Sequence, residues 1–177
     1  ETGQTYLLAI DPYQHYRQSK NILENGHPGD EYRNPETGEV CDQPGDGCVP
    51  WNNHKKAPIG TPVNWGFHVA FGAGFFQFVR FFDPGATLFQ AFFWIPVLMS
   101  ALCVIPAFFI AKKRVGFFGG FLAAMFVAIH PVFIGRTAAG FSDTDAYVVL
   151  FPLLILWTFL EGFESKSWKK RLILLAV

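Results

Sequence analysis

Charge is scarce in this sequence. Acidic and basic residues make up 16% of 177 positions and balance at 14 each. No basic footprint of the kind that neutralises a phosphate backbone is present, which excludes nucleic acid as a partner. Cysteine is nearly missing. Cys41 and Cys48 lie in a Gly/Pro/Asp-rich stretch, and Cys103 lies in an apolar run. The pair offers too few ligands for a zinc site. The flexible stretch between Cys41 and Cys48 permits a disulfide if it faces an oxidising side, and two free thiols otherwise. There is no P-loop, no G-x-G-x-x-G, no nucleophile elbow and no internal repeat. The chain has no Met at position 1, no signal peptide and no targeting motif, and it stops inside the apolar run 172–177. The expectation is a fragment of a larger membrane protein.

What the sequence does contain is apolar surface. Hydrophobic residues are 51%, and phenylalanine alone supplies 21. Residues 1–60 carry most of the acids, and the rest is nearly all apolar. That split predicts a polar flap joined to a membrane part. Asp11-Pro12 is a helix start and Asn25-Gly26 a stop, giving a helix over 12–24. Residues 26–62 are rich in turn formers and lack periodicity, so a long loop is expected. Residues 63–82 are apolar but interrupted by His68, Gln77, Arg80 and three glycines. A buried or interfacial helix is expected there. Spans are expected at 88–111, 115–134 and 146–163, with another from 172 onward. The whole predicts an α fold: a polytopic transmembrane helical bundle with a long external first loop, 1–87.

Topology follows from the basic residues. Lys112-Lys113-Arg114 and the 166–171 cluster fall on the cytoplasmic side by the positive-inside rule. Two spans separate them, so the turn between those spans is external. That turn is Gly135-Arg136-Thr137-Ala138-Ala139-Gly140-Phe141-Ser142-Asp143-Thr144-Asp145. With 63–82 lying along the interface, Asp11 shares the external face with Asp143 and Asp145.

Two carboxylates at the mouth of a span suit a hard divalent cation, Mg²⁺ or Mn²⁺. The same pattern also suits a capped helix start. Asp11 is likewise either an N-cap before Pro12 or a metal ligand. Arg136 is a snorkelling interfacial residue, or a cation that offsets the carboxylates or binds an anionic head group. His15, one turn after Asp11, is a ligand or a helix-surface histidine. His130, before Pro131, is expected to be a hydrogen-bonded buried or interfacial residue.

Taken together these residues resemble the catalytic subunits of oligosaccharyltransferases. Asp11-Pro12-Tyr13-Gln14-His15-Tyr16-Arg17 is similar to that family's Asp-Pro-aromatic-x-(Asn/His)-Tyr-Arg signature. Pro58-Ile59-Gly60 resembles its Pro-Leu-Gly stretch. The run from Arg136 to Asp145 resembles its second acidic motif, Arg-(Ser/Thr)-x-x-Gly-x-x-Asp-x-(Asp/Glu/His). The pairing of Asp-Pro-Tyr-x-His-Tyr with Asp-Thr-Asp looks like the archaeal single-subunit type. There are departures: Ala9 stands where eukaryotic members often have an acid, and no Trp-Trp-Asp acceptor-recognition motif occurs.

The resemblance implies a C-type membrane glycosyltransferase in the cell membrane. It implies transfer of an oligosaccharide from a dolichyl (di)phosphate carrier to Asn in Asn-x-Ser/Thr of an acceptor polypeptide. Asp11, Asp143 and Asp145 would bind one divalent ion, Mn²⁺ or Mg²⁺, and Asp11 would also hold the acceptor amide. Arg136 would support the site electrostatically. The rest of the enzyme would lie outside this chain, so the fragment alone is not expected to catalyse. The rivals are another lipid-phosphate-sugar-dependent glycosyltransferase, and an ion channel or transporter segment with carboxylates in its path.

Overall fold

Proline and glycine set most element boundaries in the first of the chain's two compact units, residues 1–93. The computed structural model describes residues 6–45, 47–169 and 174. Helix α1 spans Ile10–Asn25. Gly26 ends it with φ 77°, and its N–H donates to the Ile22 carbonyl at 3.0 Å. The start differs from expectation by two residues. Ala9 holds the cap position with no side-chain cap bond, so Asp11 sits inside the first turn and caps nothing. Pro12 is tolerated there because first-turn N–H groups lack helical acceptors anyway. Asp11 still faces the favourable, positive end of the helix dipole.

The stretch 26–62, expected as a loop, holds a small antiparallel sheet of order β2-β1-β3-β4. Its strands are β1 Glu31–Arg33, β2 Val40–Cys41, β3 Val49–Asn52 and β4 Thr61–Pro62. Strands of two to four residues cannot display alternation, and Pro50 and Pro62 hide what signal there is. Cys41 and Cys48 are disulfide-bonded and close the β2–β3 connection. Gly60 takes φ 78° beneath Trp51, where a Cβ would stand 2.2 Å from the indole nitrogen. That nitrogen donates to the Ile59 carbonyl at 3.2 Å.

Helix α2, Phe67–Phe82, begins four residues later than expected because the Val63 N–H donates to the Pro50 carbonyl, extending the sheet. It buries His68, Val69, Gly72 and Ala73 and packs on α1. Ser19 Oγ of α1 donates to the Val69 carbonyl at 2.7 Å. A Cβ on Gly72 would lie 2.4 Å from the Phe92 ring, so only glycine allows this approach. With 16 residues α2 is about 24 Å long, short of the roughly 30 Å hydrocarbon core. Phe67, Phe78, Phe81 and Phe82 stay exposed.

Helix α3, Leu88–Ile129, starts in this unit. Phe92 is fully buried there, with its ring 5.8 Å from Tyr16 and 5.7 Å from His68. At 42 residues α3 is too long for one straight span, and it breaks at Val115 and Gly116 (φ 78°). The expected spans 88–111 and 115–134 fall on its two arms.

The second unit covers residues 94–177. Past the break the second arm returns along the first: the Phe108 and Phe117 rings are 5.7 Å apart, and Gly120 lies against Lys112 and Phe108. This arm stops at Ile129, five residues before its expected end. Pro131 cannot continue a helix and instead opens α4, Pro131–Thr137. His130 is exposed and caps α4, its Nδ1 accepting from the Phe133 N–H at 3.4 Å. It is hydrogen-bonded as expected but not buried, because the chain turns there. Helix α5 covers Asp145–Glu164.

The first arm of α3 and α5 run alongside each other in the same direction. Cys103 Sγ approaches the Ala146 carbonyl at 3.9 Å, the Phe109 and Trp157 rings stack at 5.1 Å, and Lys113 reaches Glu161 at 2.8 Å. Lys113 also meets Glu164 at 3.0 Å, and Arg114 meets it at 2.9 Å. The fold is mostly helical. Leu88–Ile129 and Asp145–Glu164 are long and apolar enough to cross a membrane, and only 33% and 22% of their most apolar windows is buried. The core helix of a soluble protein would be mostly covered. The span expected from 172 onward falls at its start outside the described residues.

Candidate functional site

Glycine makes the polar turn before α5 possible. Gly140 has φ 89°, and the Phe141 N–H donates to the Ala138 carbonyl at 2.9 Å. Positive φ at the third residue of such a turn is the place where glycine is favoured. The turn brings the last turn of α4 back over the first turn of α5. Arg136, at the end of α4, then has two neighbours. Its guanidinium lies 5.6 Å from the Phe141 ring centre, and Nη1 is 3.7 Å from Asp145 Oδ2.

Asp145 is the first residue of α5. Its Oδ2 is buried and receives no hydrogen bond, since 3.7 Å is an ion-pair distance and too long for one. Thr144 holds the cap position without a side-chain cap bond. Asp143 Oδ1 accepts from the Thr144 N–H at 2.7 Å. Asp145, inside the first turn of α5, therefore does not act as an ordinary helix cap. Buried carboxylate oxygens are normally hydrogen-bonded or paired. An uncovered one beside an arginine suits a hard cation with oxygen ligands.

In the first unit Asp11 is exposed near the N-terminus of α1. His15 turns toward α2, its ring edge-on to His68 at 4.9 Å. A cleft of about 240 Å³ lies between α1 and the sheet, lined by Ile10, Tyr13, Gln14, Arg17, Asn52, His54 and Lys55; Asp11 is not part of its lining.

Among the described residues, neither unit by itself brings three His, Cys, Asp or Glu side chains together as a ready metal set. The second unit unites Arg136 with Asp145 and places Asp143 two residues away; the first presents Asp11. Sequence reasoning missed Asp30, which organises the first unit. Its carboxylate accepts from Arg17, from Asn21 Nδ2 at 3.0 Å and from the Asn53 N–H at 2.9 Å. Burial alone would raise its pKa. The Arg17 hydrogen bond, the Asn53 N–H and the Asn21 amide outweigh it and hold the carboxyl below its usual 3.8. Its place in a Gly/Pro-rich stretch gave no signal beyond a solvated turn.

A family model described as "Oligosaccharyl transferase STT3, N-terminal" matches residues 1–177. The dolichyl-phosphooligosaccharide-protein glycotransferase of Methanococcus voltae is 33% identical over 170 residues, covering 96% of this chain and 18% of that protein. The protein of the same name in Methanocaldococcus jannaschii is 32% identical, covering 94% and 17%. An undecaprenyl-diphosphooligosaccharide–protein glycotransferase of Campylobacter jejuni is 31% identical over 75 residues, covering 42% and 10%. The chain thus spans less than a fifth of the length of these relatives. With two acidic motifs in the family's order and a family match from end to end, the chain belongs to the oligosaccharyl transferase STT3 family and corresponds to its N-terminal region.

Proposed function

We propose that this chain is the N-terminal part of a polytopic C-type glycosyltransferase of the cell membrane. The enzyme moves an oligosaccharide from a dolichyl phosphate or diphosphate carrier to the side-chain amide of Asn in Asn-x-Ser/Thr. The names of the archaeal relatives support this reaction class. The observation that carries the site is the buried, undonated Oδ2 of Asp145 beside Arg136.

Asp11, Asp143 and Asp145 would together hold one Mn²⁺ or Mg²⁺. When bound, such an ion offsets charge on the phosphate that leaves with the lipid. The chain's own groups do the rest. An amide nitrogen is a poor nucleophile, and Asp11, accepting its N–H bonds, orients it and raises its reactivity. Arg136 balances the charge of the clustered carboxylates.

Topology supports an external site. Cys103 meets Ala146 at one end of the α3–α5 pair, and Lys113 and Arg114 meet Glu161 and Glu164 at the other. With the basic end cytoplasmic, Asp143 and Asp145 face outward. The Cys41–Cys48 bond suits a first loop, 1–87, on the oxidising side, and the exposed phenylalanines of α2 suit an interfacial helix. A channel segment is disfavoured because Asp143 and Asp145 lie at the start of α5 rather than within it.

The test is transfer of glycan to an Asn-x-Thr peptide by the full-length enzyme. Asp11→Ala, Asp143→Ala and Asp145→Ala should each reduce transfer by about 100-fold or more while leaving the protein folded. Near-normal transfer by any of them would count against its assignment.

A further inference from the structure

Helix α1 carries Asp11 at its exposed end and is held from two sides farther along. On one side Ser19 bonds the Val69 carbonyl, and Gly72 and Phe92 close the packing. On the other side a single carboxylate does the holding. Asp30 is only 18% exposed, and its two oxygens gather Arg17 and Asn21 of α1 together with the Asn53 N–H. His54 Nδ1 lies 3.7 Å away. The Asp30 N–H donates to the Trp51 carbonyl at 2.8 Å, so the residue is itself anchored to the sheet. Arg17 and His54, which flank this carboxylate, also line the cleft that Ile10, Tyr13 and Gln14 of α1 form with Asn52 and Lys55.

From this arrangement we infer that Asp30 is a positioning residue for glycan transfer, fixing α1 against the sheet so that Asp11 meets the acceptor. The inference rests on the transferase reading above. Asp30 is bonded to Arg17, Asn21 and the Asn53 N–H and not to Asp11 itself. Its effect travels through Arg17 and Asn21 and the rigid helix, which rises about 9 Å over the six residues from Asp11 to Arg17. Removing the charge leaves Arg17 without its carboxylate and loosens one of the two clamps. A shift of about 1 Å at a reacting group costs on the order of 100-fold in rate.

The experiment uses the full-length enzyme and two readouts. In the first, Asp30→Asn is expected to lower kcat about 10- to 100-fold with little change in KM for the lipid-linked donor. Asp30→Glu recovers part of the loss. Once Asp11→Asn has been introduced, Asp30→Asn should cost nothing further, because the two act as one unit. A merely structural role would instead give additive losses. The second readout is amide hydrogen exchange, which does not depend on transfer. Asp30→Asn should speed exchange in α1 by about tenfold or more while α2 keeps its protection. Unchanged exchange in α1, or losses that add with Asp11→Asn, would overturn the inference. If α1 loosens as expected while unaltered enzyme transfers no glycan, the positioning of α1 stands and the transferase reading fails. Should Asp30→Asn fail to fold, Arg17→Lys, which keeps the charge but loses the planar fork, is measured in the same two ways with the same outcomes decisive.

Discussion

Arg136 Nη1 stands 3.7 Å from Asp145 Oδ2, across a turn that Gly140 makes possible. The same guanidinium lies 5.6 Å from the Phe141 ring, so it is held between a carboxylate and an aromatic face. Arginine suits both contacts better than lysine, having a planar group that stacks as well as a fixed charge. In the full-length enzyme, Arg136→Ala should lower glycan transfer by about tenfold or more, and Arg136→Lys should lie between the two. Steady-state transfer to an Asn-x-Thr peptide checks this. Equal activity of the alanine and lysine variants would remove the charge from the account.

Acid should weaken the first unit through Asp30. Its carboxyl is held below its usual 3.8, so the folded state releases that proton more readily than the unfolded chain. The resulting stability is fully present above the usual value and is lost as pH falls through the lower, folded one. Thermal melting of unaltered protein should therefore drop as pH is lowered beyond that point. Asp30→Asn should melt lower near neutrality and lose less on acidification. Parallel pH curves for the two would show that Asp30 is not the group responsible.

Thiol accounting tests which side the first loop faces. In protein denatured without reductant, maleimide should modify Cys103 but neither Cys41 nor Cys48; after reduction all three should react. Intact-mass measurement reads both numbers directly. A loop of this length contributes about 2 kcal/mol through the unfolded state, so the double serine variant should melt lower in proportion. Free Cys41 and Cys48 in protein isolated from its native membrane would argue against an oxidising, external location.

Much of this was written in local signals. Asn25-Gly26 marks the end of α1, and Gly116 after three basic residues marks the break in α3, because both demand a backbone that few residues adopt. The boundary at His130-Pro131 was missed because hydrophobicity continues through it, although Pro131 was the signal that could have found it. The sheet was invisible since its register depends on tertiary contacts such as Trp51 against Gly60, not on alternation. Asp11, Asp143 and Asp145 stood out because carboxylates beside apolar runs are conspicuous. Asp30 did not, since its importance comes from Arg17 and Asn53, which lie 13 residues before it and 23 after it.

The central claim is that acids from two distant chain segments grip one divalent ion. Mn²⁺ binding to the full-length enzyme, followed by loss of the free-ion paramagnetic resonance signal, tests it most directly. One tight site should be found, and Asp11→Ala, Asp143→Ala and Asp145→Ala should each weaken it by at least about tenfold. Mn²⁺ bound as tightly by Asp11→Ala as by unaltered enzyme would contradict the shared site.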